Sequence, residues 1–216
     1  MTGPIPPELG NLSKLRNLHL HDNRLTGSIP PEIGNLQSLQ LLTLLRNELT
    51  GSIPPELGNL THLRQLSIAD NELTGPIPPE IGNLAELDFL SATSNNLTGP
   101  IPPELGNLPL GVLSIADNNL TGPIPSELGN ARYLQGLYVS GNALTGPFPP
   151  EIINHRFLTR LAIHNTGLSG RLPREFIGAP LRYFQWNDTD LCAPADEEFQ
   201  RWLSRFIQEG NGNCSS

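Results

Sequence analysis

Laid out from Leu12, the chain repeats itself every 24 residues: LSKLRNLHLHDNRLTGSIPPEIGN, then LQSLQLLTLLRNELTGSIPPELGN, then LTHLRQLSIADNELTGPIPPEIGN. A fixed period of this length means stacked copies of one small unit, none of which can bury its apolar side alone. Further copies start at Leu84, Leu108, Ala131 and His155, and a partial one covers roughly 179 to 191, making seven full repeats and two fragments. The expected organisation is a partial repeat without a true cap over 1–11, seven repeats over 12–178, and a last partial repeat with a cap over 179–216. The period also settles a compositional question. The 22 prolines and 21 glycines would otherwise suggest low complexity, but here they recur at set places between leucine clusters.

The formal charge is -8, and eight of the 21 acidic residues occupy one repeated position, from Glu8, Glu32 and Glu56 through to Glu175. They form a structural stripe. With 13 Lys plus Arg and a pI near 5.0, there is no basic track for phosphates, so nucleic acid and anionic membrane surfaces are not expected partners. The leucine-dense run 39–45 is too short for membrane insertion. The opening MTGPIPPELG lacks the basic and apolar regions of a signal peptide and reads as the back half of a repeat.

Within each repeat an L-x-L strand, such as Leu18 and Leu20, sends two apolar side chains to one side and the residue between them to the other. Stacked, these strands give a parallel sheet whose outer face is set by the variable positions. An Asn three residues further on (Asn23, Asn47, Asn71, Asn95, Asn118, Asn142) sits at the turn, where its amide can satisfy backbone groups of a neighbouring coil. Thr166 and Thr189 replace it in the last two copies, predicting a looser turn. In the L-T-G-x-I-P that follows, Gly supplies a positive φ, Pro an extended backbone, and the Thr row (Thr26, Thr50, Thr74, Thr98, Thr121, Thr145) a short second strand. NLPLGVL at Asn107 and GAPLRYF at Gly178 each lack one residue ahead of the strand, and the loss is expected to shorten a loop without shifting the register.

The pattern L-x-x-L-x-x-L-x-L-x-x-N-x-L-T-G-x-I-P-x-x-L-G-N resembles the plant-type leucine-rich repeat over residues 2 to about 191. The resemblance implies a right-handed superhelical α/β solenoid with a parallel concave β-sheet, short 3-10 or second-strand convex segments and a C-terminal capping helix. Receptor ectodomains, polygalacturonase inhibitors and some ice-binding proteins share that scaffold, not one activity.

After Leu191 the repeat stops. Phe199, Trp202, Leu203, Phe206 and Ile207 follow helical spacing and predict a helix over about 196–209, with Asp196, Glu197 and Glu198 in its first turn and Gly210 at its end. Such a helix would cover the open last coil. The two cysteines, Cys192 and Cys214, bracket it; their position predicts a disulfide and an oxidising, extracellular or cell-surface location, against the alternative of two free thiols in a cytosolic chain. Six glycosylation sequons occur, but four fall inside NLT or NLS strings that the repeat produces anyway, so they say little.

Function can only reside where the repeat varies. The outward columns run through His19, Thr43, Ser67, Ser91, Ser114 and Tyr138, flanked by Leu41, Phe89, Val112, Arg160 and Tyr183 on one side and His21 and Leu45 on the other. We take Leu41, Thr43, Leu45, Phe89, Val112, Tyr138, Arg160 and Tyr183 as candidate ligand contacts, because apolar groups gathered on an exposed face have meaning that scattered ones lack. Small Ser, Ala, Thr and Gly residues between them would admit a peptide or glycan closely. His19, His21 and Asp22 lack a third metal ligand nearby, Ser67, Ser91 and Ser114 lack a base, and no glycine belongs to a phosphate loop, so neither metal nor cofactor nor catalysis is expected. The expected function is non-enzymatic binding of a protein, peptide or glycan. Two readings compete with it: a repeat scaffold without an evolved ligand, suggested by near-identical IPPELGN segments, and an ice-binding protein using the Thr row. The bare first strand further suggests self-association at the N-terminal edge.

Overall fold

The computed structural model describes residues 1–206 and Cys214. Eight three-residue strands, Asn17–His19, Leu41–Thr43, Gln65–Ser67, Phe89–Ser91, Val112–Ser114, Gly136–Tyr138, Arg160–Ala162 and Tyr183–Gln185, pair in parallel and in chain order as one sheet. The register keeps equivalent leucines opposite one another, Leu18 facing Leu42 and Leu42 facing Leu66. Both shortened repeats obey it too: Leu113 faces Leu90, and Phe184 faces Leu161. The missing residues come out of the loops, as the sequence predicts.

The second strands also form, from Thr2–Pro4 and Arg24–Gly27 to Asp190–Cys192, as a three-stranded and a six-stranded parallel sheet joined by a bridge between Ser52 and Thr74. Their register is out of phase with the repeat. Thr26 faces Glu48, Thr98 faces Asn119 and Thr145 faces Gly167.

Each Pro-Pro-Glu then starts a one-turn 3-10 helix, such as Pro55–Asn59 and Pro79–Asn83, because proline at the first position gives up an N–H that would be unpaired anyway. The glycine inside this turn has a reason unrelated to φ: a Cβ on Gly58 would stand 2.3 Å from the Glu80 carbonyl oxygen of the next coil. Where Ile153 takes that place, the segment Pro150–Ile153 is an α-helical turn instead.

Leucine and isoleucine from all three sides fill a continuous core; Leu36, Leu60, Leu84, Leu113 and Leu137 are fully buried. The asparagine ladder runs beside it. Asn95 Nδ2 donates to the carbonyls of Ala92 and Thr93 in its own coil and to Ile68 in the coil before, while Oδ1 accepts from Leu73 N–H. One amide thus ties two coils together. The residue ahead of each ladder position is in the left-handed region, Asp22, Arg46, Asp70, Ser94 and Asp117 among them.

The two threonine copies correct one expectation. Thr166 donates to Ile163 O, a bond inside its own coil, yet the turn is not loosened: Asn165 and Asp188 keep φ of 51° and 54°, and Thr166 N–H still bonds Asp188 O. The backbone ladder holds the turn, and what Thr166 gives up is the amide's reach into the neighbouring coil.

At the carboxyl end the core turns aromatic. Phe148, Phe176, Phe184 and Trp186 pack with Phe199, Trp202 and Phe206, with Phe176 5.6 Å from Trp202 and Phe184 5.8 Å from Phe206 between ring centres. The helix carrying Phe199 and Trp202 spans Glu197–Leu203, with Asp196 accepting from Phe199 N–H at its start and Phe206 in the turn beyond its end. It is shorter than the apolar stripe predicts, because Ser204 closes it; Ile207 and Gly210 lie outside the described residues. Cys192 and Cys214 form the expected disulfide.

Candidate functional site

Alternation along each strand sends Leu18, Leu42, Leu66 and Leu90 inward and leaves their neighbours on the open face of the eight-stranded sheet. All eight candidate contacts lie on that face, and the structure separates them into two groups. Leu41, Thr43, Leu45 and Phe89 line one hollow of about 250 Å³ together with His19, His21, Gln65 and Ser67. Val112 is paired beside Phe89 and continues its apolar edge. The histidine rings meet edge to face, 5.9 Å apart. Sequence reasoning weighed those histidines only as metal ligands; as walls of an apolar hollow they were missed, although their columns adjoin Leu41 and Leu45.

Tyr138, Arg160 and Tyr183 form the second group. The Tyr138 ring lies back across Gly136, whose added Cβ would meet its Cε2 at 2.9 Å, so the glycine makes room for the ring. Tyr183 donates to Gln185 Oε1 and borders a hollow of about 310 Å³ with Arg182, Arg205 and Phe206. Burial pushes the Tyr183 phenol upward, and Tyr138 nearby adds to the rise. Arg205 and Phe206 could not be found from the repeat columns, since they arrive from the cap.

Between the groups the floor is made of small residues, and many are covered rather than open. Ser91, Ala69, Ala116, Ser140 and Ala162 are buried, and Thr93 and Ser114 share a hydrogen bond of 2.7 Å. Along the rim Arg46 reaches Asp22 and Asp70 at 3.5 and 3.6 Å. Hydrogen bonds with His62 and Arg64 hold the Glu86 carboxyl below the usual carboxylate range. Away from the sheet face, the shortened loop at Pro109 opens a notch of about 640 Å³ beside Arg132 and exposed Tyr133.

Comparison with known proteins places the fold. The family model described as a leucine-rich repeat region matches residues 6–116, and a leucine rich repeat model matches 110–131 and 133–155. A search of curated proteins returned no match. Among solved structures, the plant peptide hormone receptor RGFR1 in complex with RGF2 superposes with a TM-score of 0.87 at 31% identity, over 98% of this chain and 38% of the receptor chain. The Arabidopsis receptor kinase HAESA ectodomain, in complex with an N-terminally extended IDA peptide hormone, gives 0.87 at 31%, over 98% and 36%. A plant ice-binding protein gives 0.85 at 32%, over 100% of this chain and 73% of its own. The chain thus spans little more than a third of those receptor chains and most of the ice-binding one.

Proposed function

Since the chain belongs to the leucine-rich-repeat family, we propose that it is a non-catalytic binding domain that takes a peptide or protein across the open face of its eight-stranded sheet. The observation that carries this reading is the hollow lined by Leu41, Leu45 and Phe89: apolar side chains left half-buried at the variable positions of an otherwise regular framework. Aromatic and branched side chains in such a hollow are the usual anchors of binding. The peptide complexes formed by the receptors of similar fold support it. The disulfide supports an extracellular or cell-surface setting. The test is a binding screen with the intact chain, followed by Phe89→Ala and Tyr138→Ala in any partner found. Each substitution should weaken binding roughly tenfold, as loss of an aromatic anchor does; undiminished affinity would remove the named site, and a screen without a specific partner would favour a scaffold with no evolved ligand.

A second reading, ice binding, is favoured by one observation: Thr26, Thr74, Thr98, Thr121 and Thr145 are exposed on the second sheets, with Thr50 exposed just past the strand Glu48–Leu49, and an ice-binding protein has a similar fold. The register counts against it, since Thr26, Thr74, Thr98, Thr121 and Thr145 stand beside Glu48, Asn96, Asn119, Ala143 and Gly167 and not beside the next Thr. Thermal hysteresis in a freezing assay would decide for this reading.

A further inference from the structure

The three outward columns of the sheet hold 24 residues, three from each of the eight strands and the turns after them, and not one is Asp or Glu, in a chain with 21 acidic residues. The ionisable groups with a basic form on these columns are His19, His21, Arg160 and His164. Acidic residues do occur along the rim, but the structure neutralises several with its own cations: Arg46 lies between Asp22 and Asp70, and Arg64 holds Glu86. Arg160 is different. It is exposed at the start of its strand, and among the described residues no carboxylate pairs with it. A face cleared of negative charge, with an unpaired guanidinium at one end and an apolar hollow at the other, is complementary to a ligand that is apolar at one point and anionic at another.

We propose that the ligand is an acidic peptide laid across the strands, with an apolar side chain in the hollow beside Phe89 and a carboxylate side chain on Arg160. This rests on the reading of the sheet face as a peptide-binding surface and names the class of peptide. The spacing follows from the sheet. Phe89 and Arg160 are three strands apart, about 14 Å at roughly 4.8 Å per strand, which an extended peptide covers in about four residues. Between them the same column holds Val112 and Gly136, with Ser114 beside Val112 and the Tyr138 ring lying across Gly136, and this is the floor over which a peptide backbone would pass.

The experiment is selection from a random twelve-residue library, displayed between fixed flanking segments so that neither peptide terminus supplies the charge, against the immobilised 216-residue chain. Enriched peptides should carry Asp or Glu about four residues from a large apolar residue. Their affinity should fall as salt is raised and fall on the order of tenfold with Arg160→Gln, the size expected for a lost charged hydrogen bond; Arg160→Lys should restore part of it. Arg160 is exposed, so these variants should melt as the parent does. Enriched peptides that are neutral or basic, yet still lost with Phe89→Ala, would overturn this inference while leaving the binding face intact. Enrichment indifferent to Phe89 would overturn the binding face itself, and the acidic ligand with it.

Discussion

Glycine serves two unrelated needs in this chain, and at the residue scale they make separable predictions. Gly75 has φ of +75° with ordinary contacts around it, so Gly75→Ala should cost about 1 kcal/mol, the strain of an L-residue in the left-handed region. Gly58 has no such φ, but its Cβ would collide with a backbone carbonyl; Gly58→Ala should cost about 1–3 kcal/mol by forcing two coils apart. Urea melts of the two variants would rank them. The first role was legible, because L-T-G-x-I-P announces a turn. The second was not, because the atom that forbids a side chain belongs to the next coil, 22 residues away. The left-handed residue ahead of each Asn was equally hidden; Ser94→Asn should gain about 0.5 kcal/mol there, asparagine tolerating that conformation better. On the rim, removing the imidazole with His62→Ala should move the Glu86 titration up towards the ordinary range, readable by NMR. A depressed carboxyl stabilises the fold above its unfolded pKa and ceases to as pH falls through the folded value, so the parent should lose more stability in acid than the variant.

At the scale of elements, the asparagine ladder was legible in its columns, and the structure adds why it tolerates threonine. Asn95→Ala would leave Leu73 N–H and three carbonyls without their amide partner in a buried place, at a cost of about 3 kcal/mol or more. Thr166→Asn, by restoring the reach into the preceding coil, should raise stability by about 1 kcal/mol. The capping helix was legible from its apolar stripe, but not the aromatic cluster beneath it. Phe148 and Phe176 each look like an ordinary core substitution, and only stacking unites them with Trp202. Cys192→Ser with Cys214→Ser should cost about 3 kcal/mol on the loop-entropy account of a 22-residue separation.

For the whole molecule, the repeat made the fold readable almost residue by residue, since one unit stacked many times leaves few alternatives. The binding face was half readable. Its columns follow from strand alternation, so Leu41, Leu45 and Phe89 could be nominated; that His19 and His21 wall the same hollow depends on side-chain directions that a column cannot give. The two ends of the solenoid are also unlike. At one, in the 216-residue chain taken by itself, the strand Asn17–His19 has a neighbour on one side only, and Met1 and Leu12 are exposed; we propose that this chain self-associates there, which sedimentation would show as concentration rises. At the other, rings and a disulfide close the stack. Force applied between residue 1 and the cap would therefore meet its weakest resistance at the open end and peel coils off in sequence. Each 24-residue coil would release about 80 Å of extended chain, so an optical trap should record a staircase of equal steps that halts at the cystine, the molecule acting as a length-graded spring whose travel is counted in repeats.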